Sequence, residues 1–303
     1  MRHCSDKSWK ISPTATRSGI SASRSSAFPK RFVPKHEREA MLNDNHPKPC
    51  RQTTFWSPVK EKGGFRSMTM TLYIVGDSTA ALKGAIEKPM TGWGEYLQQH
   101  LDPEIRVDNR AINGRSTRSF IAEGRWAAVE NELQPGDYVF IQFGHNDQKQ
   151  EDPSRFADPA PGGEYRANLK RFIESTRSRG GIPVLLTSVS RRRFTAEGLP
   201  DPDAVGPYPE AMRETAREAG APLLDLFAAS QQLYLRMGQE ESKHLFMHLP
   251  AGSHPNYPDG IADDTHFSDQ GAREIAGLAA EAIQQCEALP GLHPLLRNLA
   301  PTS

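Results

Sequence analysis

Cysteine is scarce in this 303-residue sequence, which contains only Cys4, Cys50 and Cys286. Their spacing fits neither a disulfide framework nor a zinc site, so we expect neither. Long hydrophobic runs are also missing, because no stretch of about 18 apolar residues occurs, and this argues against a transmembrane helix. No apolar segment of the kind found in secretory signals is visible. We therefore expect a cytoplasmic protein with no membrane partner.

Excess charge of one sign is missing as well, since 37 Lys and Arg residues balance 37 Asp and Glu residues. The balance hides an asymmetry along the chain. Residues 1–67 contain 14 Lys and Arg against 5 Asp and Glu, whereas the remainder contains 23 against 32. Nucleic-acid phosphates bind to basic surfaces, and the body of the chain is acidic. We therefore expect no nucleic-acid partner.

The first 67 residues differ from the rest in composition as well as in charge. They are rich in Ser, Arg and Pro and show no sustained hydrophobic periodicity. Such a segment buries too little apolar surface to offset the entropy lost on ordering. The predicted organisation is a disordered basic extension over 1–67, one domain over 68–290, and a C-terminal tail over 291–303.

Strand-like and helix-like segments alternate from Leu72 onward. Near-continuous apolar runs are typical of parallel strands that are covered on both faces. The predicted strands are LYIVG (72–76), IRVDNRAI (105–112), DYVFIQFG (137–144), IPVLLTSV (182–189) and PLLDLF (222–227). The predicted helices between and after them cover 92–101, 119–133, 164–180, 208–220 and 269–287. This alternation predicts an α/β fold with a doubly wound parallel sheet.

Polar, glycine-bearing turns follow the first three predicted strands. They contain Ser78, Gly114 and the segment 144–147. Because ligands bind at the carboxyl ends of the strands in such sheets, these turns indicate a site. Taken alone, Ser78 fits a helix cap as well as a nucleophile, and Gly114 fits an ordinary turn glycine. Asn146 also fits a side chain that bonds its own backbone.

A serine nucleophile needs a histidine base and a carboxylate that orients the base. His266, in IADDTHFSDQGA, is the best candidate for the base. Asp263 lies three residues upstream, where a short turn brings its carboxylate to the imidazole, and spacing does not exclude Asp264. The backbone N–H groups of Ser78 and Gly114 and the side chain of Asn146 are candidate donors to an oxyanion.

Four motifs occur in the order that the SGNH (GDSL-type) hydrolases show. They are GDST, the glycine in INGRST, GHND, and the D-x-x-H of DDTH. Further segments resemble the rhamnogalacturonan acetylesterase branch of the carbohydrate esterases: TGWGEYL, FGHNDQK, YPEAMR and DDTHFSDQGARE. The resemblance covers roughly residues 71–285. Thr79 stands where many relatives have Leu, which is usual for this branch.

The resemblance implies a flavodoxin-like three-layer α/β/α sandwich with a five-stranded parallel sheet. It implies a triad of Ser78, Asp263 and His266, and an oxyanion hole formed by Ser78, Gly114 and Asn146. The implied activity is that of a serine esterase that removes O-acetyl groups from pectic rhamnogalacturonan or its oligosaccharides. No metal or organic cofactor is implied, and the expected partner is the acetylated carbohydrate alone.

Two alternatives to this activity stay open. One is a lipase-like or thioesterase-like SGNH enzyme that hydrolyses another ester, although charged loops near the motifs disfavour a long-chain pocket. The other is a carbohydrate-binding protein without catalytic activity, for which a serine, histidine and aspartate set would have no purpose.

Three residues are candidates for substrate binding. Arg192, in the basic run after the fourth strand, and Arg115 are expected to pair with the carboxylates of a galacturonate-containing polymer. Trp93 is expected to stack on a sugar ring, although a core position is the common alternative for an aromatic residue. His244 and His248 share a face if KHLFMHL is helical, but no third metal ligand is evident, so we expect exposed or core histidines.

Overall fold

The computed structural model of the protein describes residues 70–297. The predicted basic extension over 1–67 and the last residues of the predicted tail lie outside this range. Between residues 70 and 297, no helix is long and apolar enough to span a membrane.

A five-stranded parallel sheet forms the centre of the domain, with the strand order β2-β1-β3-β4-β5. Its strands are β1 (Met70–Gly76), β2 (Ile105–Asn109), β3 (Tyr138–Gln142), β4 (Ile182–Leu186) and β5 (Leu223–Leu224). The side chains of β1 alternate between two separate clusters of buried residues. Leu72 and Ile74 belong to one cluster, and Tyr73 and Val75 belong to the other. Both faces of the sheet are therefore buried, as its apolar sequence predicts.

Helices cover the two faces of the sheet. They are α1 (Thr117–Ala122), α2 (Arg125–Glu132), α3 (Glu164–Ser178), α4 (Tyr208–Ala219), α5 (Leu226–Glu241) and α6 (Asp269–Gln285). Buried residues of α1 to α4 share one cluster with Tyr73 and Val75. Buried residues of α6 and most of those of α5 share the other cluster with Leu72 and Ile74. The three-layer α/β fold predicted from the sequence is confirmed.

Two predicted helices are shorter or broken in the structure. Residues 92–101 form two short 3-10 turns, Trp93–Glu95 and Leu97–His100, instead of one α-helix. The predicted helix over 119–133 divides into α1 and α2 at Gly124, whose φ of 71° is left-handed. A glycine adopts this conformation at little cost, which allows the chain to change direction there.

The region from 222 to 267 differs most from the prediction. The strand predicted over 222–227 is only two residues long, because Asp225 caps α5 by accepting a hydrogen bond from the Ala228 N–H at 3.1 Å. Helix α5 was not predicted. Neither was the antiparallel pair of strands that follows it, β6 (Phe246–Leu249) and β7 (Ile261–Phe267).

His244 and His248 do not share a helix face, because KHLFMHL does not form one helix. His244 lies in a 3-10 turn, Ser242–Leu245, and His248 lies in β6. Apolar side chains at both Phe246 and Met247 are buried, which is the pattern of a strand that packs into a core. No group of three or more His, Cys, Asp or Glu residues suited to a metal ion occurs in the described part of the chain.

Residues 291–297, predicted as part of a tail, pack against the domain. Leu292 is fully buried, and Leu296 forms a bridge with Leu101. The Asp102 N–H donates to the Leu295 carbonyl at 2.7 Å. The packed domain therefore continues beyond the predicted boundary at residue 290.

Close packing of α6 leads to a prediction about two of its glycines. A Cβ at position 271 would overlap the carbonyl oxygen of Leu245, whereas a Cβ at position 277 would meet nothing within 4 Å. We expect Gly271→Ala to lower the free energy of unfolding by about 1–3 kcal/mol through overpacking. Gly277→Ala should raise it by about 0.5–1 kcal/mol, because alanine favours the helix. Urea unfolding of both variants tests this, and equal changes would contradict the packing at Gly271.

Candidate active site

Ser78 lies in the turn that follows β1, and no α-helix begins there. The side chain of Asp77 shapes this turn, because its Oδ1 accepts hydrogen bonds from the Thr79 N–H at 2.9 Å and from Thr79 Oγ1 at 2.8 Å. Ser78 therefore caps no helix, and Asp77 holds the turn in place of Ser78. The Ser78 hydroxyl is therefore available for a hydrogen bond to another residue.

That residue is His266, whose Nε2 lies 2.9 Å from Ser78 Oγ. The other ring nitrogen, Nδ1, lies 2.7 Å from Asp263 Oδ2. A hydroxyl, an imidazole and a carboxylate thus stand in one hydrogen-bonded series. In this arrangement the imidazole is able to take up the hydroxyl proton while the carboxylate stabilises the resulting charge.

A bulge in β7 brings His266 and Asp263 together. The pairing of β6 with β7 passes from Phe246 opposite Phe267 directly to Met247 opposite Asp263, so residues 264–266 leave the ladder. Bulges of this kind redirect side chains. Asp263 Oδ1 fixes the loop by accepting from the N–H groups of Thr265 at 2.7 Å and His266 at 3.0 Å.

The structure decides between Asp263 and Asp264, which the spacing left open. Asp264 Oδ1 lies 2.8 Å from Arg192 Nη1 and 2.7 Å from His248 Nε2, away from His266. Burial raises the pKa of Asp263, but the hydrogen bonds and charge of His266 outweigh burial and hold this pKa at about 2. Asp263 is therefore ionised at neutral pH and is the carboxylate that orients His266.

Gly114 and Asn146 are close to one another after β2 and β3. Gly114 has a φ of 74°. Asn146 Nδ2 donates to the carbonyl of Arg115, the residue that follows Gly114, at 3.1 Å. Among residues 70–297, neither the Gly114 N–H nor the Ser78 N–H has a hydrogen-bond partner. Two unpaired backbone donors and a side-chain amide with a second N–H are the groups that an oxyanion requires.

A buried ionisable cluster lies behind these turns. Asp77 Oδ2 is 3.4 Å from His145 Nδ1, and both residues are buried. Asp147 Oδ1 accepts from Thr117 N at 2.9 Å and from Thr117 Oγ1 at 2.6 Å. Since Thr117 begins α1 and Asp147 adjoins Asn146, this carboxyl joins the two segments that carry Gly114 and Asn146.

Asp147 leads to a prediction about stability and pH. Burial raises its pKa to about 7, although the hydrogen bonds from Thr117 act against burial. The folded state then holds a proton that the unfolded state loses near pH 4, so stability falls as the pH rises from about 4 to about 7. The loss is at most about 1.4 kcal/mol per pH unit. Because Asn does not titrate, the stability of wild type relative to Asp147→Asn should fall over this range.

Urea unfolding of both proteins at several pH values from about 4.5 to 8 measures this difference. Parallel stability curves for wild type and Asp147→Asn would show that Asp147 ionises in the folded protein much as it does in the unfolded chain.

Trp93 is not placed to stack on a sugar, because its side chain is fully buried. Its indole Nε1 donates to Gln142 Oε1 at 2.6 Å, and Gln142 Nε2 donates to Thr79 Oγ1 at 2.8 Å. Trp93 therefore supports the turn that carries Ser78 from within the core. The predicted stacking contact of Trp93 is therefore wrong, and the core position named as its alternative is the one observed.

Arg192 is also not available to a substrate. It is only 7% exposed, and besides Asp264 it bonds Ser242 Oγ and the Gln239 carbonyl. Arg115 is partly exposed beside Gly114, where its Nε lies 3.0 Å from Glu123. Of the two arginines predicted to meet a carboxylate, Arg192 is thus a buried structural residue, and Arg115 stays a candidate that already has an acidic partner.

Comparison with known proteins identifies relatives of this chain. The sequence profile of the GDSL-like Lipase/Acylhydrolase family matches residues 74–274. The rhamnogalacturonan acetylesterase RhgT of Bacillus subtilis is 42% identical over 214 residues, which are 71% of this chain and 89% of that protein. The probable rhamnogalacturonan acetylesterase YesY of the same organism is 35% identical over 222 residues, 72% of this chain and 94% of that protein.

A solved structure has a similar fold. The crystal structure of the YxiM protein of Bacillus subtilis matches with a TM-score of 0.63 and 26% sequence identity. The match covers 74% of this chain and 58% of that one, so this chain spans somewhat more than half of the YxiM structure. Because the family profile covers residues 74–274 and RhgT is similar over most of its length, the chain belongs to the GDSL-like lipase and acylhydrolase family, as the order of its motifs predicted.

Proposed function

We propose that this protein is a serine esterase that removes O-acetyl groups from pectic rhamnogalacturonan or its oligosaccharides. The observation that carries the proposal is the series Ser78 Oγ, His266 and Asp263, with separations of 2.9 and 2.7 Å. The similarity to RhgT, a rhamnogalacturonan acetylesterase, supports the substrate class.

The first half of the reaction forms an acetyl-enzyme. Ser78 Oγ attacks the acetyl carbonyl carbon while His266 Nε2 accepts the hydroxyl proton. Negative charge collects on the carbonyl oxygen, where the N–H groups of Ser78 and Gly114 and the amide of Asn146 stabilise it. The bond to the sugar oxygen then breaks, and His266 returns its proton to that oxygen. The deacetylated sugar leaves.

Water completes the second half. His266 removes a proton from a water molecule, which attacks the acetyl carbon, and the same donors hold the second oxyanion. Collapse of this intermediate returns the proton to Ser78 Oγ and releases acetate. Asp263 keeps the imidazole oriented and stabilises its positive charge throughout. Every step uses groups of this chain, and we expect activity without an added metal or cofactor.

One observation favours a second candidate, an acyl hydrolase that acts on a different ester. Leu82 and Ile86, in the segment after the Ser78 turn, are 68% and 85% exposed, which is unusual for large apolar side chains. Such residues are able to contact an acyl chain. Polar and charged side chains surround the turns themselves, among them Lys83, Asn146 and Arg191. These favour the carbohydrate substrate.

Hydrolysis of matched esters tests the proposal. We expect acetate release from acetylated rhamnogalacturonan oligosaccharides and from p-nitrophenyl acetate, and little release from p-nitrophenyl decanoate. Cleavage of the decanoate and not of the acetylated oligosaccharide would favour the second candidate. Binding of the oligosaccharide without hydrolysis of any ester would point to a carbohydrate-binding protein instead.

A further inference from the structure

Three consecutive arginines follow β4, and their surroundings differ. Arg192 Nη1 lies 2.8 Å from Asp264 Oδ1, and Arg193 Nε lies 2.6 Å from Asp201 Oδ2. Arg191 has no carboxylate within 4 Å among residues 70–297. One of the three guanidinium groups therefore has no acidic partner of its own in the described domain.

The guanidinium of Arg191 is held in place by neutral groups. Its Nε donates to Thr265 Oγ1 at 3.2 Å, and its Nη1 donates to the Ala204 carbonyl at 3.4 Å. Its Nη2 has no hydrogen-bond partner within the described residues. The guanidinium is therefore held by two hydrogen bonds and has further N–H donors that a ligand could use.

An unpaired positive charge at this depth costs free energy. Burial lowers the pKa of Arg191, and while Arg193 adds repulsion, the more distant carboxylates Asp77 and Asp263 attract the charge. Arginine nevertheless keeps its proton in proteins, so the charge remains. An anion placed against the free donors would supply the missing partner.

The position of Arg191 relates this anion to the acetyl group. Thr265, which accepts from Arg191, adjoins His266, and His266 Nε2 lies 2.9 Å from Ser78 Oγ. Arg191 also lies after β4, the neighbour of the strand β3 that leads to Asn146. The guanidinium therefore contacts the segment that carries the imidazole, one residue before His266.

Other arginines near these turns already have acidic partners. Arg115 pairs with Glu123, and Arg155, whose Nη1 lies 3.7 Å from the position of a Cβ on Gly114, pairs with Asp152 at 2.5 Å. At those arginines the positive charge is already paired with a carboxylate, whereas at Arg191 no carboxylate of the described residues lies within 4 Å. Arg191 is therefore the better donor for a carboxylate ligand.

We propose that Arg191 is a specificity-determining residue that binds a sugar carboxylate next to the acetylated residue of the substrate, through the unoccupied N–H groups of its Nη1 and Nη2. The inference rests on the proposed deacetylation of a galacturonate-containing carbohydrate and adds the group that selects acidic over neutral chains. A uronate carboxylate is planar and accepts two parallel N–H bonds, which matches a guanidinium edge better than a neutral hydroxymethyl group does.

Matched substrates and variants test the assignment. The acetylated rhamnogalacturonan oligosaccharide is compared with the same oligosaccharide whose carboxylates have been reduced to alcohols, and kcat/KM is measured for both. We expect wild type to favour the acidic form, and Arg191→Gln to lower that preference about 10- to 100-fold, the usual size of a hydrogen bond to a charged group. Arg193→Gln, the adjacent exposed control, should leave the preference unchanged.

Arg191→Lys serves as the second variant in case Arg191→Gln does not fold. It keeps the charge and loses the planar fork, so we expect a smaller but measurable fall in the preference. An equal loss on acidic and reduced substrates would overturn the proposal, because it would show that Arg191 only supports the segment of Thr265 and His266. An equal effect of Arg193→Gln would also overturn it.

A binding measurement separates this proposal from the proposed function. Unacetylated galacturonate-containing oligosaccharide should inhibit hydrolysis of p-nitrophenyl acetate by wild type, with an inhibition constant about 10- to 100-fold higher for Arg191→Gln. This readout does not depend on acetate release from sugars. Inhibition that is the same in both proteins would overturn the role of Arg191 even if the deacetylase activity is found.

Discussion

Ser78→Ala is expected to lower the kcat for p-nitrophenyl acetate and for acetylated rhamnogalacturonan oligosaccharides by about 10⁴- to 10⁶-fold. The substitution removes the hydroxyl whose Oγ lies 2.9 Å from His266 Nε2, so no acetyl-enzyme forms. A small residual rate should persist, because the oxyanion donors and the contacts that bind the substrate remain. The same hydroxyl caps no helix, and we expect the free energy of unfolding to change by less than about 1 kcal/mol.

Ser268→Ala is the matched control, since Ser268 is a serine that does cap a helix near the site. Its Oγ accepts from the Gly271 N–H at 3.1 Å at the start of α6. Loss of this cap should lower the free energy of unfolding by about 1 kcal/mol and leave most of the hydrolytic activity. If Ser78→Ala behaved like Ser268→Ala, losing stability but keeping activity, Ser78 would be a structural residue and the proposed mechanism would fail.

Asp263→Asn is expected to lower kcat by about 10⁴-fold, as removal of the charge of a triad aspartate does elsewhere. The carboxylate Oδ2 lies 2.7 Å from His266 Nδ1, where it orients the ring and offsets the charge that the ring gains. An amide has the same shape without the charge, and it presents an N–H to the imidazole as readily as an oxygen. Single-turnover kinetics with p-nitrophenyl acetate measure the loss in the acylation step.

The neighbouring carboxylate supplies the control for this prediction. Asp264→Asn weakens the ion pair with the buried Arg192, so it should lower stability by about 1 kcal/mol while the hydrolytic rate stays within a few-fold of wild type. A loss of rate in Asp264→Asn as large as that in Asp263→Asn would refute the assignment of Asp263 as the partner of His266.

The elements that were predicted correctly are those whose sequence carries a local signal. Strands β1, β3 and β4 are short apolar runs that end in glycine or polar turns, and helices α3 and α4 combine a hydrophobic period with glycine near their ends. These local patterns predict the elements well because apolar residues are buried on both faces of the sheet.

Helix α5 was missed because one apolar run crosses two elements. Leu223, Leu224, Leu226 and Phe227 read as a single strand, yet the chain changes from strand to helix in the middle of them. Asp225 was the available signal, since aspartate is a common residue at the start of a helix, where its side chain accepts from an N–H of the first turn. The apolar residues on both sides of Asp225 made the whole segment resemble one strand.

The side chains that contact a substrate are harder to predict than the elements that hold them. The sequence predicts Arg192 as the substrate-binding arginine of the basic run after β4, but the structure buries Arg192 and pairs it with Asp264. Arg191, one residue earlier, is the arginine of this run that has no carboxylate within 4 Å among the described residues. Adjacent residues in an extended segment point in different directions, and the sequence alone does not give the phase.

The three residues of the proposed triad come from two separate sheets of the domain. Ser78 follows strand β1 of the central sheet, whereas Asp263 and His266 belong to the hairpin of β6 and β7, which forms a separate two-stranded sheet. The hairpin is held to the domain by packing of the Phe246 ring against Tyr234 of α5, by the Thr91 N–H bond to the Phe267 carbonyl at 3.0 Å, and by the close approach of Gly271 to Leu245. Activity should therefore depend on how tightly this hairpin packs against the domain, and we expect it to be lost before the central sheet unfolds if the hairpin detaches.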